Sequence, residues 1–107
     1  MNNIINVVGV ENFDKAISCD KPVLVDFWAT WCMPCMKQGP ILEELNNELG
    51  DKVQIVKVDV DSNEALCRKF GVMSIPMLAV FKNGEMVEKT IGLTELKSLK
   101  GLVEKHL

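Results

Sequence analysis

The chain has 107 residues and a formal net charge of −3, and 48% of its residues are hydrophobic. That length is typical of one domain with a modest apolar core, and the mixed charges provide no basic surface for nucleic acid. No apolar run approaches the ~20 residues that a membrane-spanning helix requires. The first six residues lack a positive region followed by a long apolar core, so we expect no secretory signal.

The hydrophobic pattern predicts five strands and four helices in one domain, residues 1–107. Strands are predicted at residues 4–8, 23–28, 53–60, 77–81 and 85–91, and the helices between them end near residues 17, 49, 70 and 103. Helices and strands alternate through the first four strands, which favours parallel pairing with right-handed crossovers. Asn83-Gly84 is a strong signal for a two-residue hairpin, so the last strand should add an antiparallel edge. The predicted class is α/β.

Polar residues and special residues predict where several helices begin and end. Asn12 and Thr94 are candidate side-chain caps for the first and last helices, and Asp61 or Ser62 for the third. Within the second helix an interior proline at position 40 predicts a kink, and the glycine at position 50 predicts its end.

Two cysteines, Cys32 and Cys35, stand where the second strand passes into the second helix. The first turn of a helix has unpaired N–H groups and a partial positive charge, which stabilise a thiolate and lower the pKa of a thiol there. Cysteines three residues apart can also bond to each other. The ring they close is small, so little loop entropy favours the disulfide and it suits reversible oxidation.

The segment around this pair resembles the active-site signature of the thioredoxin family. The resemblance rests on the run Val25-Asp26-Phe27-Trp28-Ala29-Thr30-Trp31-Cys32-Met33-Pro34-Cys35. It continues in the family's order through Phe13-Asp14, Pro40, Val56-Lys57-Val58-Asp59, Phe70-Gly71-Val72, Ser74-Ile75-Pro76, Phe81-Lys82-Asn83-Gly84 and Gly92. One departure is Met33, where the family usually has glycine. The resemblance implies a thioredoxin fold, in which four helices flank a central five-stranded mixed sheet.

The two cysteines are expected to have different roles. Cys32 is nearer the loop and should be the exposed attacking thiolate, whereas Cys35 lies one turn further in and should resolve the mixed disulfide. The alternatives are half of a zinc site or two inert thiols. A structural zinc site needs four ligands, and the other soft candidates, Cys19, Cys67 and His106, show no ligand spacing.

Asp26 is unusual because a carboxylate in an apolar strand is costly unless it is paired or neutral. Strand alternation places it on the same face as Leu24 and Trp28, and burial should raise its pKa. The residues alone leave open a structural carboxylate and a proton acceptor for Cys35; the resemblance implies the second role. Lys57 is a candidate to pair with Asp26 and tune its charge, unless its side chain simply reaches water.

The resemblance also implies a docking rim for client proteins beside the cysteines. The family has a cis peptide bond at the position of Ile75-Pro76, which exposes the backbone of Ile75 to a docking peptide. The implied rim consists of Trp31, Met33, Pro34, Ile75, Pro76 and Gly92, each of which has ordinary core or turn packing as its alternative. Met77 stands where the family usually has threonine.

These residues predict a cytoplasmic protein-disulfide reductase whose Cys32–Cys35 couple alternates between dithiol and disulfide. The resemblance implies two partners, a thioredoxin reductase and disulfide-containing target proteins. We expect no nucleic acid, membrane, metal or organic cofactor, and a monomeric chain. Two rivals remain: a disulfide oxidant or isomerase of the same fold, and a non-catalytic binding subunit that uses the rim alone.

Overall fold

The computed structural model describes residues 4–107; residues 1–3, part of the N-terminal segment considered above, lie outside the described residues. Two helices cover each face of a five-stranded mixed sheet. The strands are β1 (Ile4–Asn6), β2 (Val23–Trp28), β3 (Gln54–Asp59), β4 (Met77–Lys82) and β5 (Glu85–Ile91), and the helices are α1 (Val10–Ile17), α2 (Met33–Leu49), α3 (Glu64–Lys69) and α4 (Leu96–Glu104). The predicted fold class is therefore confirmed.

The strand order is β1-β3-β2-β4-β5, which makes β2 the central strand. β3 pairs in parallel with both β1 and β2, whereas β4 runs antiparallel to β2 and β5. The register sets Asp26 of β2 opposite Lys57 of β3 and Leu78 of β4. The central position buries β2 on both faces, which explains its continuous apolar run and isolates its one carboxylate.

The side chains of β2 alternate between two apolar cores, as the sequence predicted. Val23, Val25 and Phe27 belong to the core beneath α1 and α3. Leu24 belongs to the opposite core, where α2 and α4 supply Leu42, Leu45, Leu49, Leu99 and Val103. Asp26 therefore points to the face that α2 covers.

The predicted hairpin joins β4 to β5. Asn83 and Gly84 have φ values of 52° and 82°, and both central residues of the type I′ turn require such positive angles. The turn places β5 at the sheet edge in antiparallel register.

Two predicted helix caps are wrong because Asn12 lies inside α1, and Asp61 and Ser62 lie in a 3-10 helix that precedes α3. α1 follows Gly9 rather than Asn12, and α3 follows Asn63 rather than Asp61 or Ser62. The side chain of Asn63 does not cap α3, since its Oδ1 accepts the N–H of Gly9 at 2.9 Å. Asn63 thus joins the start of α1 to the start of α3.

The predicted start of α4 is a similar error, whereas the predicted end of α2 is correct. α4 follows Glu95, not Thr94, whose hydroxyl donates to the carbonyl of Gly92 at 3.0 Å. α2 ends at Gly50 as predicted, with a φ of 53° that glycine tolerates. Helical structure continues through Pro40, and a kink there stays a prediction. Strands β1 and β3 are shorter than predicted, since β3 gives way to a 3-10 helix at Val60.

Phe81→Ala should be strongly destabilising. The Phe81 ring is fully buried and meets the rings of Phe13 and Phe70 edge-on, at centroid distances of 5.5 and 5.2 Å. Loss of the ring should lower the free energy of unfolding by about 3–5 kcal/mol in urea titrations. The control is Val87→Ala on the exposed edge strand, which should cost less than about 1 kcal/mol. Equal losses in the two variants would contradict this description of the core.

Candidate active site

Cys32 and Cys35 form a disulfide at the start of α2, with their Cα atoms 5.2 Å apart. Cys32 is the N-cap of the helix, and its Sγ accepts the backbone N–H of Cys35 at 3.3 Å. Pro34 lies in the first turn, where its missing N–H leaves no bond unmade. The sulfur of Cys32 therefore occupies the place where an oxygen usually caps a helix, within the positive end of the helix dipole.

The two cysteines differ in burial less than the sequence predicted. The exposed fraction is 6% for Cys32 and 1% for Cys35. Cys35 is the more buried, as expected, but the expectation of an exposed Cys32 is wrong. The side chains of Trp28, Val60 and Ile75 pack against the pair and shield it.

Asp26 is fully buried, and neither carboxyl oxygen has a hydrogen-bond partner among the described residues. Burial raises the pKa of this carboxyl from 3.8 to about 7, and the positive charge of Lys57 opposes part of that rise. The predicted direction is confirmed. A carboxyl group with this pKa can take up and release a proton near neutral pH.

Lys57 contacts an aromatic ring rather than Asp26. In the described part of the chain it forms no ion pair with Asp26; its Nζ lies 4.4 Å from the centroid of the Trp28 ring. The predicted direct pairing is therefore wrong, since the ring supplies the close contact. The predicted influence on the charge of Asp26 is present as a longer-range electrostatic effect.

Trp31 and Met33 project outward beside the disulfide. Their exposed fractions are 68% and 70%, and Pro34 is exposed between Met33 and Cys35. The indole Nε1 of Trp31 donates to Asp61 Oδ2 at 2.8 Å. Asp61, predicted as a helix cap, instead holds this exposed ring.

A second group of predicted rim residues lies around the Ile75 carbonyl, next to Cys32. The Ile75-Pro76 peptide bond is cis, as the resemblance implies, and the Ile75 carbonyl oxygen lies 3.9 Å from Cys32 Sγ. Gly92 donates its N–H to the Pro76 carbonyl at 2.8 Å, with a φ of 92°. The structure thus brings Ile75, Pro76 and Gly92 together beside the disulfide.

A groove of about 310 Å³ extends away from Trp31 and Ile75. Val60, Val72 and Met73 supply apolar parts of its lining. None of these three was predicted as a site residue. The signal available in the sequence was the apolar pair at positions 72 and 73, in a segment with neither strand nor helix periodicity.

The remaining cysteines, Cys19 and Cys67, are free and partly exposed. Cys67 also lines the groove. Its own burial, together with the negative charges of Asp61 and Glu64, raises the pKa of its thiol. A thiol with a raised pKa is a weaker nucleophile at neutral pH.

Residues 4–107 contain neither a cluster of metal ligands nor a helix that could span a membrane. No group of three or more His, Cys, Asp or Glu side chains in that range is arranged to hold a metal ion. None of the helices in that range has the length and apolar character needed to cross a membrane.

Three geometric features together define the class of the site. Two cysteines on one helical turn are joined by a disulfide, the outer sulfur accepts a helix N–H, and a buried carboxyl titrates near neutral pH on the face that the helix covers. Such an arrangement is a site for thiol–disulfide exchange.

Comparisons with known proteins agree with this class. The thioredoxin family model matches residues 4–105. The chain is 55% identical over 85 residues to a thioredoxin of Bacillus subtilis, covering 79% of this chain and 82% of that one. It is 50% identical over 96 residues to a thioredoxin of Staphylococcus saprophyticus, covering 90% and 91%. The structure of a mutant thioredoxin from Halobacterium salinarum superposes with a TM-score of 0.90 at 36% identity, covering 97% of this chain and 90% of that one.

The chain belongs to the thioredoxin family. It is a thiol–disulfide oxidoreductase with a Cys-x-x-Cys redox pair, as the sequence analysis predicted.

Asp26→Asn should change how stability depends on pH. The folded carboxyl stays protonated up to about pH 7, whereas the unfolded one ionises near 3.8, so wild-type stability should fall as pH rises between these values. Asparagine cannot ionise. The free energy of unfolding of the variant, relative to that of wild type, should therefore increase across this pH range. The increase should reach roughly 4 kcal/mol above pH 7, at about 1.4 kcal/mol per pKa unit.

Chemical denaturation at pH 4 and pH 8 measures this difference. The matched control is Glu85→Gln, which removes an exposed carboxylate from β5 and should keep the wild-type pH profile. A constant difference between Asp26→Asn and wild type at both pH values would show that the pKa of Asp26 is the same in the folded and unfolded chain.

Proposed function

We propose that this oxidoreductase reduces disulfides in other proteins, with Cys32 as the attacking group. The observation that carries the proposal is the position of Cys32 Sγ, which caps α2 and lies 3.9 Å from the backbone oxygen of Ile75. Dipole and N–H at the helix start favour the thiolate form of Cys32. A client segment that runs along Ile75 would present its disulfide to that sulfur.

The reaction takes place in two exchange steps. The Cys32 thiolate attacks one sulfur of the client disulfide, forming a mixed disulfide, and the other client sulfur leaves as a thiolate. The Cys35 thiol then gives up its proton and attacks the Cys32 sulfur. The Cys32–Cys35 disulfide forms and the second client sulfur leaves, so two electrons pass from this chain to the client.

Asp26 is proposed to accept the proton that Cys35 loses. Three observations support this role: Asp26 lies on the sheet face that α2 covers, it is buried, and its pKa is about 7. A base with this pKa works best at neutral pH. Lys57 would keep that pKa from rising further, since its charge favours the ionised carboxylate.

The client is proposed to bind across the exposed apolar surface around the disulfide. Trp31, Met33 and Pro34 supply exposed side chains, Ile75 and Gly92 are half-buried, and the buried Pro76 accepts the N–H of Gly92 at its carbonyl. The groove that contains Met73 adjoins Trp31 and Ile75. Unbranched methionine side chains adapt to varied partners, which suits a reductase with many clients.

A reductase must recover its dithiol after each cycle. We propose that a thioredoxin reductase supplies the electrons and that the chain acts as a cytoplasmic monomer, domain 1–107. One chain holds both cysteines and Asp26, which supports a monomer. A reducing compartment would keep the pair available as a dithiol, which supports the cytoplasm.

Cys32→Ser should abolish reduction of insulin disulfides in the presence of dithiothreitol, because no nucleophile remains for the first step. Cys35→Ser should perform that first step and accumulate a mixed disulfide with insulin, visible on a non-reducing gel. Cys19→Ser serves as the control and should retain the wild-type rate. Wild-type activity in Cys32→Ser would remove Cys32 from the proposed role.

Equilibration with glutathione distinguishes the reductase from an oxidant of the same fold. A reductase should remain mostly oxidised at Cys32–Cys35 even when reduced glutathione is in large excess, because its couple is strongly reducing. Alkylation of the remaining thiols followed by mass spectrometry measures the ratio. Ready reduction of the pair by glutathione would favour the oxidant instead.

A further inference from the structure

We propose that Gln38 is a positioning residue, which holds the Gly92–Thr94 segment, and with it the client-binding surface, in place beside Cys32. The inference rests on the proposed function, because it concerns how protein clients bind. It concerns a buried amide that neither the thiol chemistry nor the helix itself requires.

Gln38 lies one helical turn after Cys35 on the buried side of α2, and it is fully buried. Its Nε2 donates to the Thr94 carbonyl at 2.9 Å, and its Oε1 accepts the Thr94 N–H at 2.9 Å. The donor and the acceptor of the amide thus both bond to the backbone of one residue, Thr94, as a neighbouring β-strand would. Because an unpaired buried amide is costly, this side chain fits its place only when both bonds are made.

The bonds continue from Thr94 to the far side of the disulfide. The hydroxyl of Thr94 donates to the Gly92 carbonyl at 3.0 Å, and the Gly92 N–H donates to the Pro76 carbonyl at 2.8 Å. The next carbonyl, that of Ile75, lies 3.9 Å from Cys32 Sγ. A series of hydrogen bonds therefore runs from Gln38 in α2 through Thr94 and Gly92 to Pro76, whose preceding residue lies beside Cys32.

Apolar packing contributes little to holding this segment. Its flanking side chains, Ile91 and Leu93, are exposed, whereas Thr94 is buried. Gly92 is held on its N-terminal side by the pairing of β5 with β4 and by its own bond to Pro76. On its C-terminal side the segment is held by the two hydrogen bonds between Gln38 and Thr94. The disulfide does not depend on those two bonds, since the start of α2 fixes the cysteines. Loss of Gln38 should consequently weaken binding of protein clients without slowing exchange at the sulfur.

The test is Gln38→Met, which keeps the length of the side chain and removes both hydrogen bonds. The KM for insulin should rise about tenfold, the factor expected when one net buried interaction is lost, while kcat stays within about twofold. The rate with the small substrate hydroxyethyl disulfide, which needs no docking surface, should also stay within about twofold. Hydrogen exchange at the Thr94 amide, followed by NMR, should accelerate about tenfold or more.

Asn46→Ala is the matched control, because Asn46 is a second buried amide on the same helix, two turns further on. It should leave the insulin KM within about twofold of wild type, even if the variant is less stable. Should Gln38→Met fail to fold, Gln38→Asn provides the same comparison, since it keeps an uncharged amide but is one methylene too short to hold both bonds to Thr94.

Three results have distinct meanings. An unchanged insulin KM in the Gln38 variant would overturn the inference. Equal losses with insulin and with the small disulfide would also overturn it, because they would assign Gln38 a purely structural role. A wild-type chain that reduces the small disulfide but not insulin would contradict the proposed function, and this inference with it.

Discussion

The bond from the Cys35 N–H to the sulfur of Cys32 is the interaction on which the rest of the site depends. It places a polarizable atom at the N-cap of a 17-residue helix, where unpaired N–H groups and the helix dipole favour negative charge. The elements around it keep that geometry: β2 delivers the chain to the cap, and Val60 and Ile75 shield the sulfurs from water. The same N–H can serve a thiolate and a disulfide sulfur, so the pair can change oxidation state with the helix start unchanged.

The carboxyl group of Asp26 in the central strand lowers the stability of the fold, but it also provides a group for proton transfer at the site. Asp26 is surrounded by β3 and β4 on either side and has no hydrogen-bond partner among the described residues. An apolar residue there would pack at no electrostatic cost. Because desolvation raises its pKa to about 7, this carboxyl group can accept or release a proton at the pH where thiol exchange occurs. Lys57 limits that rise from a distance, while its own close contact is the Trp28 ring.

Much of the fold could be predicted from local pattern, because the relevant interactions are local or periodic. The alternation within β2, the Asn83-Gly84 turn and the Gly50 helix end all depend on neighbouring residues, and all were correct. The predicted side-chain caps were wrong because contacts with distant segments hold the residues at which α1 and α4 begin. Asn63 bonds to a residue 54 positions away and Thr94 to one 56 positions away. A prediction based on neighbouring residues cannot account for contacts between residues so far apart in the sequence.

The site residues also divide into those that the sequence could predict and those that it could not. Cys32, Cys35 and Asp26 were visible because a cysteine pair and a strand carboxylate are unusual in their surroundings. The resemblance supplied Ile75 and Gly92. Asp61 beneath Trp31, Met73 in the groove and Gln38 against Thr94 were missed. Each of them acts through a tertiary contact between segments whose meeting the residue pattern does not specify.

The rate of alkylation of Cys32 as a function of pH tests the central claim most directly. The reduced chain with Cys19 and Cys67 replaced by serine is treated with iodoacetamide, and the product is mapped to Cys32 by mass spectrometry. If the helix start stabilises the thiolate, the rate should reach half its maximum clearly below the value of about 8.5 that a free cysteine shows. A midpoint at or above that value, or a Cys32 that resists alkylation at every pH, would contradict the account.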